Sequence, residues 1–381
     1  MAEQTIVVLG GGVGGVVAAT ELHTRLKTDS ARIVLVERNK IQSFPPSYLW
    51  VMTGERRPDT ITRDISRLER KGIEVVAEEI KGIDVKARTV AVDGREINYD
   101  YLIIALGAEL DFNAVPGLSG AHGFYHLDGA ERLRDAVASF PGGRIAIAIA
   151  GLPYKCPAAP FEGAMLLEGY FHSRHIRHKV EIAIYTPEPH PMPVAGIPAG
   201  EAIQEMMAHK GIAFYGDKQL KAIEEGEMRF KDGSTEPYDL LIAIPPHKAP
   251  EVVVKSGLTD KEGWIAVDQY TLETKHENVF AIGDVTRIPL PDGLALPKAG
   301  VFAHGEAEVV ARNIAARIMG HARRERYDGR GYCFLEAGGG SAGMAQGDFY
   351  AHPRHITLRP PSPVWHWGKV AFERYWLWKW Y

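Results

Sequence analysis

The chain has 381 residues, 45% of them hydrophobic, and a formal net charge of −4. That length and apolar content suffice for a large core spread over two or more domains, and the mild acidity gives no reason to expect nucleic acid as a partner. No run of 18 uninterrupted apolar residues occurs, so no helix is expected to span a bilayer, and two cysteines, Cys156 and Cys333, are too few for a secreted disulfide framework.

Met1-Ala2-Glu3-Gln4 shows neither the charged nor the apolar region of an export signal, and none is expected. Thr5 to Leu9 is a short apolar strand, followed by Gly10-Gly11-Gly12-Val13-Gly14-Gly15 and a helical run to about Lys27. Gly10, Gly12 and Gly15 fit G-x-G-x-x-G: the first makes a tight turn, the second lets a phosphate approach the backbone, and the third lets helix pack on strand. The helix N-terminus then offers free N–H groups to a pyrophosphate. A second strand, Ala31 to Val36, ends in Glu37, 22 residues beyond Gly15, where a carboxylate can accept hydrogen bonds from ribose hydroxyls. This order predicts a dinucleotide site, and Glu37 favours an unphosphorylated ribose, as in FAD or NAD, over NADP.

Tyr101 to Ala108 is a buried strand ending in a small-residue turn that carries Ala105 and Gly107. A second α/β unit follows over about 113–255, with strands at Arg144 to Ala150, Val180 to Tyr185 and Asp239 to Ile244. Ile145 to Ala150 is an unbroken apolar run, the pattern of a parallel strand covered on both faces. Gly151 ends it where a second dinucleotide unit would carry its glycine fingerprint, but Lys155-Cys156-Pro157 stands there instead. Beside a lysine and ahead of a helix, the Cys156 thiol is expected to have a lowered pKa. That helix is predicted from Phe161 to His178, and its closing residues His172, Arg174, His175, Arg177, His178 and Lys179 read as a basic last turn complementing the dipole, not as a metal site. Thr186 to Pro198, with His190, is a Pro-rich loop that either lines a cavity or makes a rigid connection.

Thr274 to Asp284 reads as a strand ending in Gly283-Asp284, which places a carboxylate where it can bond a ribityl hydroxyl. Leu296-Pro297-Lys298-Ala299-Gly300 then precedes a helical pattern over about Val301 to Met319. The glycine loop, the Tyr101–Ala108 strand and the Gly-Asp segment together resemble the FAD domain of the two-dinucleotide-binding-domain flavoproteins, the pyridine nucleotide-disulfide reductase superfamily. The resemblance implies an α/β fold with two Rossmann-like, doubly wound, three-layer domains. Residues 1–112 and 256–320 would bind FAD, 113–255 would form the second domain, and 321–381 a C-terminal segment. It also implies that the helix after Lys298 points its N-terminus beneath the flavin pyrimidine ring. Dipole and Lys298 would there stabilise the anionic reduced ring, the helix end by about 1–2 kcal/mol; the other reading of Lys298 is a solvated lysine.

Cys156-Pro157-Ala158-Ala159-Pro160-Phe161-Glu162 resembles the Cys-x-x-x-Pro-(aromatic)-Glu segment of sulfide:quinone oxidoreductases and of the flavocytochrome c sulfide dehydrogenase flavoprotein. Phe44 to Val51, which contains Pro46, together with Pro297-Lys298, Gly331-Tyr332-Cys333 and Trp367 to Tyr375, is similar to the same family. No third cysteine occurs over His122 to Ala130, where many members carry one. The resemblance implies that Cys156 and Cys333 form a disulfide, or a bridge lengthened by sulfur, that hydrosulfide attacks. Glu162 would take the proton, its other reading being a surface carboxylate, and the Cys333 thiolate would deliver the electron pair to FAD. Pro46, Ala105, Gly107, Gly283 and Asp284 would join the glycine loop and Glu37 in holding that cofactor. Quinone would then be reduced in an apolar pocket near the tail.

Residues 352–381 hold five of the seven tryptophans and five cations against Glu373 alone. Aromatic and basic residues of this kind sit at membrane interfaces. Trp365 to Tyr381 does not divide cleanly on a helical wheel, so a monotopic patch on the cytoplasmic membrane is expected, its helix tilt and membrane face open; a dimer interface or a core segment is the competing reading, and a homo-oligomer is possible. Three other functions share the fold. A type II NADH:quinone dehydrogenase needs a glycine loop where Cys156 stands. A soluble sulfide dehydrogenase passing electrons to a cytochrome c explains both thiols but is normally exported. A flavin-containing redox sensor is the non-enzyme alternative.

Overall fold

The computed structural model describes residues 4–26, 31–322 and 324–381. In chain order β1 (Gln4–Leu9), α1 (Val13–Leu26), β2 (Ala31–Val36), α2 (Tyr48–Met52), β3 (Glu74–Val76) and β4 (Tyr101–Ile104) begin the first layer system. The second holds α3 (Leu127–Ser139), β5 (Gly143–Ile149), α4 (Ala159–Ser173), β6 (Val180–Tyr185), α5 (Ile197–His209), β7 (Ile212–Tyr215), β8 (Leu240–Ile244) and α6 (Glu251–Lys255). The chain then returns to the first through β9 (Val279–Ala281) and α7 (Gly300–Ile318), and closes with β10 (Arg330–Gly338), β11 (Ser341–Asp348), β12 (His355–Ser362) and α8 (Pro363–Lys379).

The first sheet is parallel, in the order β9-β4-β1-β2-β3, with Leu9 at the end of β1 aligned to Val36 on one side and Ile104 on the other. Three loops therefore emerge from one sheet edge, after Leu9, Val36 and Ile104, which is where open α/β sheets bind ligands. α1 and α7 pack together over one face, and the antiparallel strands of residues 82–98 cover the other through Val90 and Ile97. The second sheet, β7-β6-β5-β8, is also parallel. Its central strand alternates isoleucine and alanine for a packing reason: Ile145, Ile147 and Ile149 join the core with α4 and α5, while Ala146, Ala148 and Ala150 face the meander residues Met228 and Phe230. Small side chains on that face leave room for the aromatic ring.

The C-terminal sheet β10-β11-β12 is antiparallel and lies against α4. Glycines allow the approach: a Cβ on Gly338 would stand 2.3 Å from the Met165 carbonyl oxygen, and one on Gly169 would stand 2.9 Å from the Gly339 nitrogen. This contact brings β10, and Cys333 with it, onto the helix that follows Cys156. α4 itself ends at Ser173 and not at His178, because His175 takes a left-handed conformation (φ 60°). Only His172 of the expected basic turn lies in the helix, and Arg177 instead donates hydrogen bonds to the Lys210 and Gly211 carbonyls at 2.8 and 2.9 Å.

The tail is a strand and a helix, and α8 divides by burial rather than by polarity. Val370, Trp376, Leu377 and Trp380 are buried together with the charged Lys369 and Glu373, while Val364, Trp367, Tyr375 and Trp378 point outward at 69%, 65%, 51% and 76% exposure. A helical wheel cannot show this, since charges and rings occur on both the inner and the outer face. Among the described residues, no helix is long and apolar enough to cross a membrane.

Candidate functional site

The glycine loop after β1 has the geometry that its spacing predicts. Gly10 has φ +102° and a Cβ there would lie 2.4 Å from the Ala105 carbonyl oxygen; a Cβ on Gly15 would lie 1.9 Å from the Gly10 oxygen. Both glycines are thus required by protein–protein contact. Gly12 differs: nothing lies within 4 Å of the Cβ it lacks, and it borders a cavity of about 520 Å³ also lined by Asn39, Tyr48, His126 and Asp128. A glycine required by no protein contact, at the edge of such a space and at a helix N-terminus, fits a dinucleotide pyrophosphate. Glu37 fastens this loop, accepting hydrogen bonds from the Gly11 and Asn39 N–H groups, each at 2.8 Å. Pro45, not Pro46, borders the cavity, with Pro46 half-buried in the same short turn. Gly107 has φ +67° and open space around it, and the Ala105 N–H ties the turn to the Leu9 carbonyl at 2.8 Å.

The Gly-Asp segment closes the far end. Gly283 has φ +72°, and its N–H donates to Glu306 Oε2 at 2.6 Å. Asp284 is half-buried, and desolvation holds its carboxyl above the usual range. Lys298 does not reach into solvent. Its ammonium donates to the Asp284 and Thr286 carbonyls, both at 2.7 Å, and lies 3.3 Å from the centre of the Trp264 ring; burial pulls its pKa down to about 8.

The thiol site joins this region directly. Cys156 has φ +51°, its N–H donates to the Lys298 carbonyl at 2.6 Å, and its own carbonyl accepts from Ala159 N–H at 2.8 Å. Cys333, on β10, turns its Sγ–H to the Phe334 carbonyl at 3.3 Å. Both cysteines are free. Glu162, buried in the first turn of α4, pairs with Lys369 of α8 at 3.2 Å, and Lys369 stands 3.9 Å from Glu336 of β10. The two thiols share this electrostatic setting: Glu162 raises and Lys369 lowers the pKa of each, and Cys333 further raises that of Cys156. Residues distant in the chain therefore meet around one buried ion pair.

The expected low pKa of Cys156 is corrected here. Desolvation is the largest influence on both half-buried thiols, pushing Cys156 well above its ordinary value and Cys333 up to about 12. The charge of Lys155, counted on from its place in sequence, bears instead on His126, His247 and Asp284. Lys369 is the cation that favours both thiolates. Sequence reading passed over it, together with Glu306, Glu336 and His366. The signal for Lys369 was present in its four-residue spacing from Glu373, which puts both on one helix face; for Glu306, inside an Ala- and Val-rich helix, none was.

Residues 4–307 match the family described as pyridine nucleotide-disulphide oxidoreductase. The mitochondrial sulfide:quinone oxidoreductase of Mus musculus is 27% identical, over 91% of this chain and 79% of its own length. The sulfide-quinone reductase of Aquifex aeolicus is 29% identical, over 98% and 90%. The X-ray structure of the Aquifex aeolicus sulfide:quinone oxidoreductase superposes with a TM-score of 0.90 at 28% identity, covering 99% of this chain and 91% of that one. With its two parallel sheets, its glycine loop and a match over most of its length, the chain belongs to the pyridine nucleotide-disulphide oxidoreductase family.

Proposed function

We propose that this chain is an FAD-dependent oxidoreductase that oxidises sulfide to sulfane sulfur at Cys156 and Cys333 and passes the electrons to a membrane quinone. The observation that carries the reading is the packing of α4, which follows Cys156, on β10, which carries Cys333, with Glu162 of α4, Glu336 of β10 and Lys369 of α8 in one buried ion-pair group. Gly12 and the N-terminus of α1 would hold the pyrophosphate of FAD, Glu37 the adenosine ribose, and Asp284 the ribityl chain. When bound, FAD supplies a two-electron acceptor that the sulfur side can reduce and a quinone can reoxidise.

The protein's own residues account for the sulfur step. The two thiols are free here; once they are joined in a bridge by the two-electron oxidation that bound FAD would supply, hydrosulfide attacks that bridge, one S–S bond forms, another breaks, and one cysteine is left as a persulfide and the other as a thiolate. Lys369 stabilises the thiolate in a site whose desolvation otherwise disfavours it. Glu162 takes the persulfide proton, and burial, which raises its carboxyl, suits it to hold one. The rings of Tyr332, Phe334 and Phe372, with centroids 6.2 and 6.3 Å apart, supply an apolar surface between β10 and α8 for a quinone. The outward rings of α8, flanked by the exposed Arg374 and Lys379, supply a face that can enter a lipid interface.

Anaerobic titration of the flavin spectrum with sulfide tests this. The native chain should bleach stoichiometrically, and Cys156→Ser and Cys333→Ser should each retain FAD but lose the response by at least about 100-fold in rate. Full bleaching of either variant by sulfide at the native rate overturns the thiol assignment.

A further inference from the structure

We propose that Glu162, Lys369, Glu336 and His366 form a proton path from the cysteines to solvent beside α8, with His366 as the residue that exchanges the proton with water. This rests on the sulfide reading above. Oxidation of hydrosulfide to the level of sulfane sulfur releases two electrons and one proton. The electrons leave through the flavin to quinone, which takes up two protons from water as it is reduced. The proton is left on Glu162, a side chain only 5% exposed.

The neighbouring groups offer it a way out. Lys369 Nζ lies 3.2 Å from Glu162 and 3.9 Å from Glu336, so one ammonium stands in ion-pair range of both carboxylates. His366 Nδ1 lies 3.1 Å from Glu336 Oε2. Side-chain exposure is 8% at Lys369 and 1% at Glu336, then 14% at His366, so the chain of groups emerges only at its last member. His366 and Lys369 stand three residues apart on α8 and therefore share a face. Lys369 takes the proton of Glu162 as its ammonium gives one to Glu336; Glu336 then protonates Nδ1, and the imidazole releases a proton from Nε2 to water.

A purely structural role explains these charges less well. Buried ion pairs are commonly no better than apolar packing of the same volume, and α8 is already fastened by Arg56 and Ser47, both bound to Glu373. With both carboxylates ionised and Lys369 charged, the cluster is one proton short of neutrality, so it can receive and pass one on. The groups facing His366 are Glu336 from β10, the Trp367 ring of its own helix and, from α2, the Trp50 ring, which also meets Arg56 and Lys369.

The FAD-loaded enzyme with His366→Asn tests the path, since asparagine can still hydrogen-bond Glu336 but cannot carry a proton. The first bleaching by sulfide should keep its native rate, because Glu162 stores one proton. Steady-state quinone reduction should fall about tenfold and lose its native pH profile, and added imidazole should restore it. Glu336→Gln, which preserves shape, should slow turnover in the same way without rescue. Native turnover in His366→Asn, or a loss that imidazole does not relieve, overturns the path. If sulfide fails to bleach the native flavin, the sulfide reading falls and the path falls with it; if it bleaches and His366→Asn turns over normally, only the path falls.

Discussion

Glu306 shows how a single buried side chain sets a pH dependence that the sequence does not announce. It is 2% exposed and accepts the Gly283 N–H, one residue before Asp284. Desolvation raises its pKa from 4.5 to about 7; Asp284 adds to this, while the Gly283 hydrogen bond and Lys298 oppose it. The folded state therefore keeps a proton that the unfolded chain has already released between those two values. The stability this contributes is fully present below pH 4.5 and is lost as pH rises through about 7. Glu306→Gln retains an acceptor for Gly283 but removes the titration. Urea unfolding should show native stability falling across this window by on the order of 3 kcal/mol relative to the variant. Parallel pH profiles for the two proteins would contradict the assignment. Cys156 teaches the complementary lesson: chain neighbours such as Lys155 are visible in a sequence, whereas the desolvation that decides the thiol's pKa is a property of the folded site.

At the scale of elements, what could be read depended on whether local pattern and tertiary contact agreed. β2, β6 and the glycine loop obey local rules, and the Ile-Ala alternation of β5 already encodes which face meets helices. The end of α4 and the character of α8 depend on partners elsewhere in the chain. α8 buries charge among apolar groups: beside Val370, Trp376 and Leu377 its inner side carries Lys369 against Glu162 and Glu373 against Arg56, at 3.2 and 2.9 Å. Its outward side carries Trp367, Tyr375 and Trp378. Spacings of three, four, four and three residues from Val364 through Trp367, Ala371 and Tyr375 to Trp378 align these rings along one stripe. Replacing Tyr375 and Trp378 together by serine should reduce binding to anionic phospholipid vesicles at least about tenfold in a sedimentation assay. Turnover with a water-soluble quinone should stay native, because these rings meet each other and Lys379 rather than the buried pairs. Undiminished vesicle binding would assign the stripe to another partner.

Across the whole molecule, two sheets of one architecture carry different chemistry at the same topological position. After β1 the connection to α1 leaves Gly12 open to a ligand. After β5 the corresponding connection is filled by the protein itself. A Cβ on Gly151 would stand 3.2 Å from Pro246, the Cys156 N–H is taken by Lys298, and the Ala159 N–H by the Cys156 carbonyl. Pro160 has no N–H to give, and the Phe161 and Glu162 N–H groups are bound to the Ala158 carbonyl. The donors that a pyrophosphate would need at the N-terminus of α4 are thus engaged, and the buried Glu162 carboxyl stands in their first turn. A nicotinamide dinucleotide has no cradle in the second sheet. The flavin should therefore remain oxidised under anaerobic NADH or NADPH at concentrations where sulfide bleaches it fully, with any residual rate at least about 1,000-fold slower, since misplacing a hydride donor removes the proximity on which transfer depends. Bleaching by NADH at a rate comparable to that by sulfide would mean that the second sheet still binds a dinucleotide, and that the thiol loop moves to admit it.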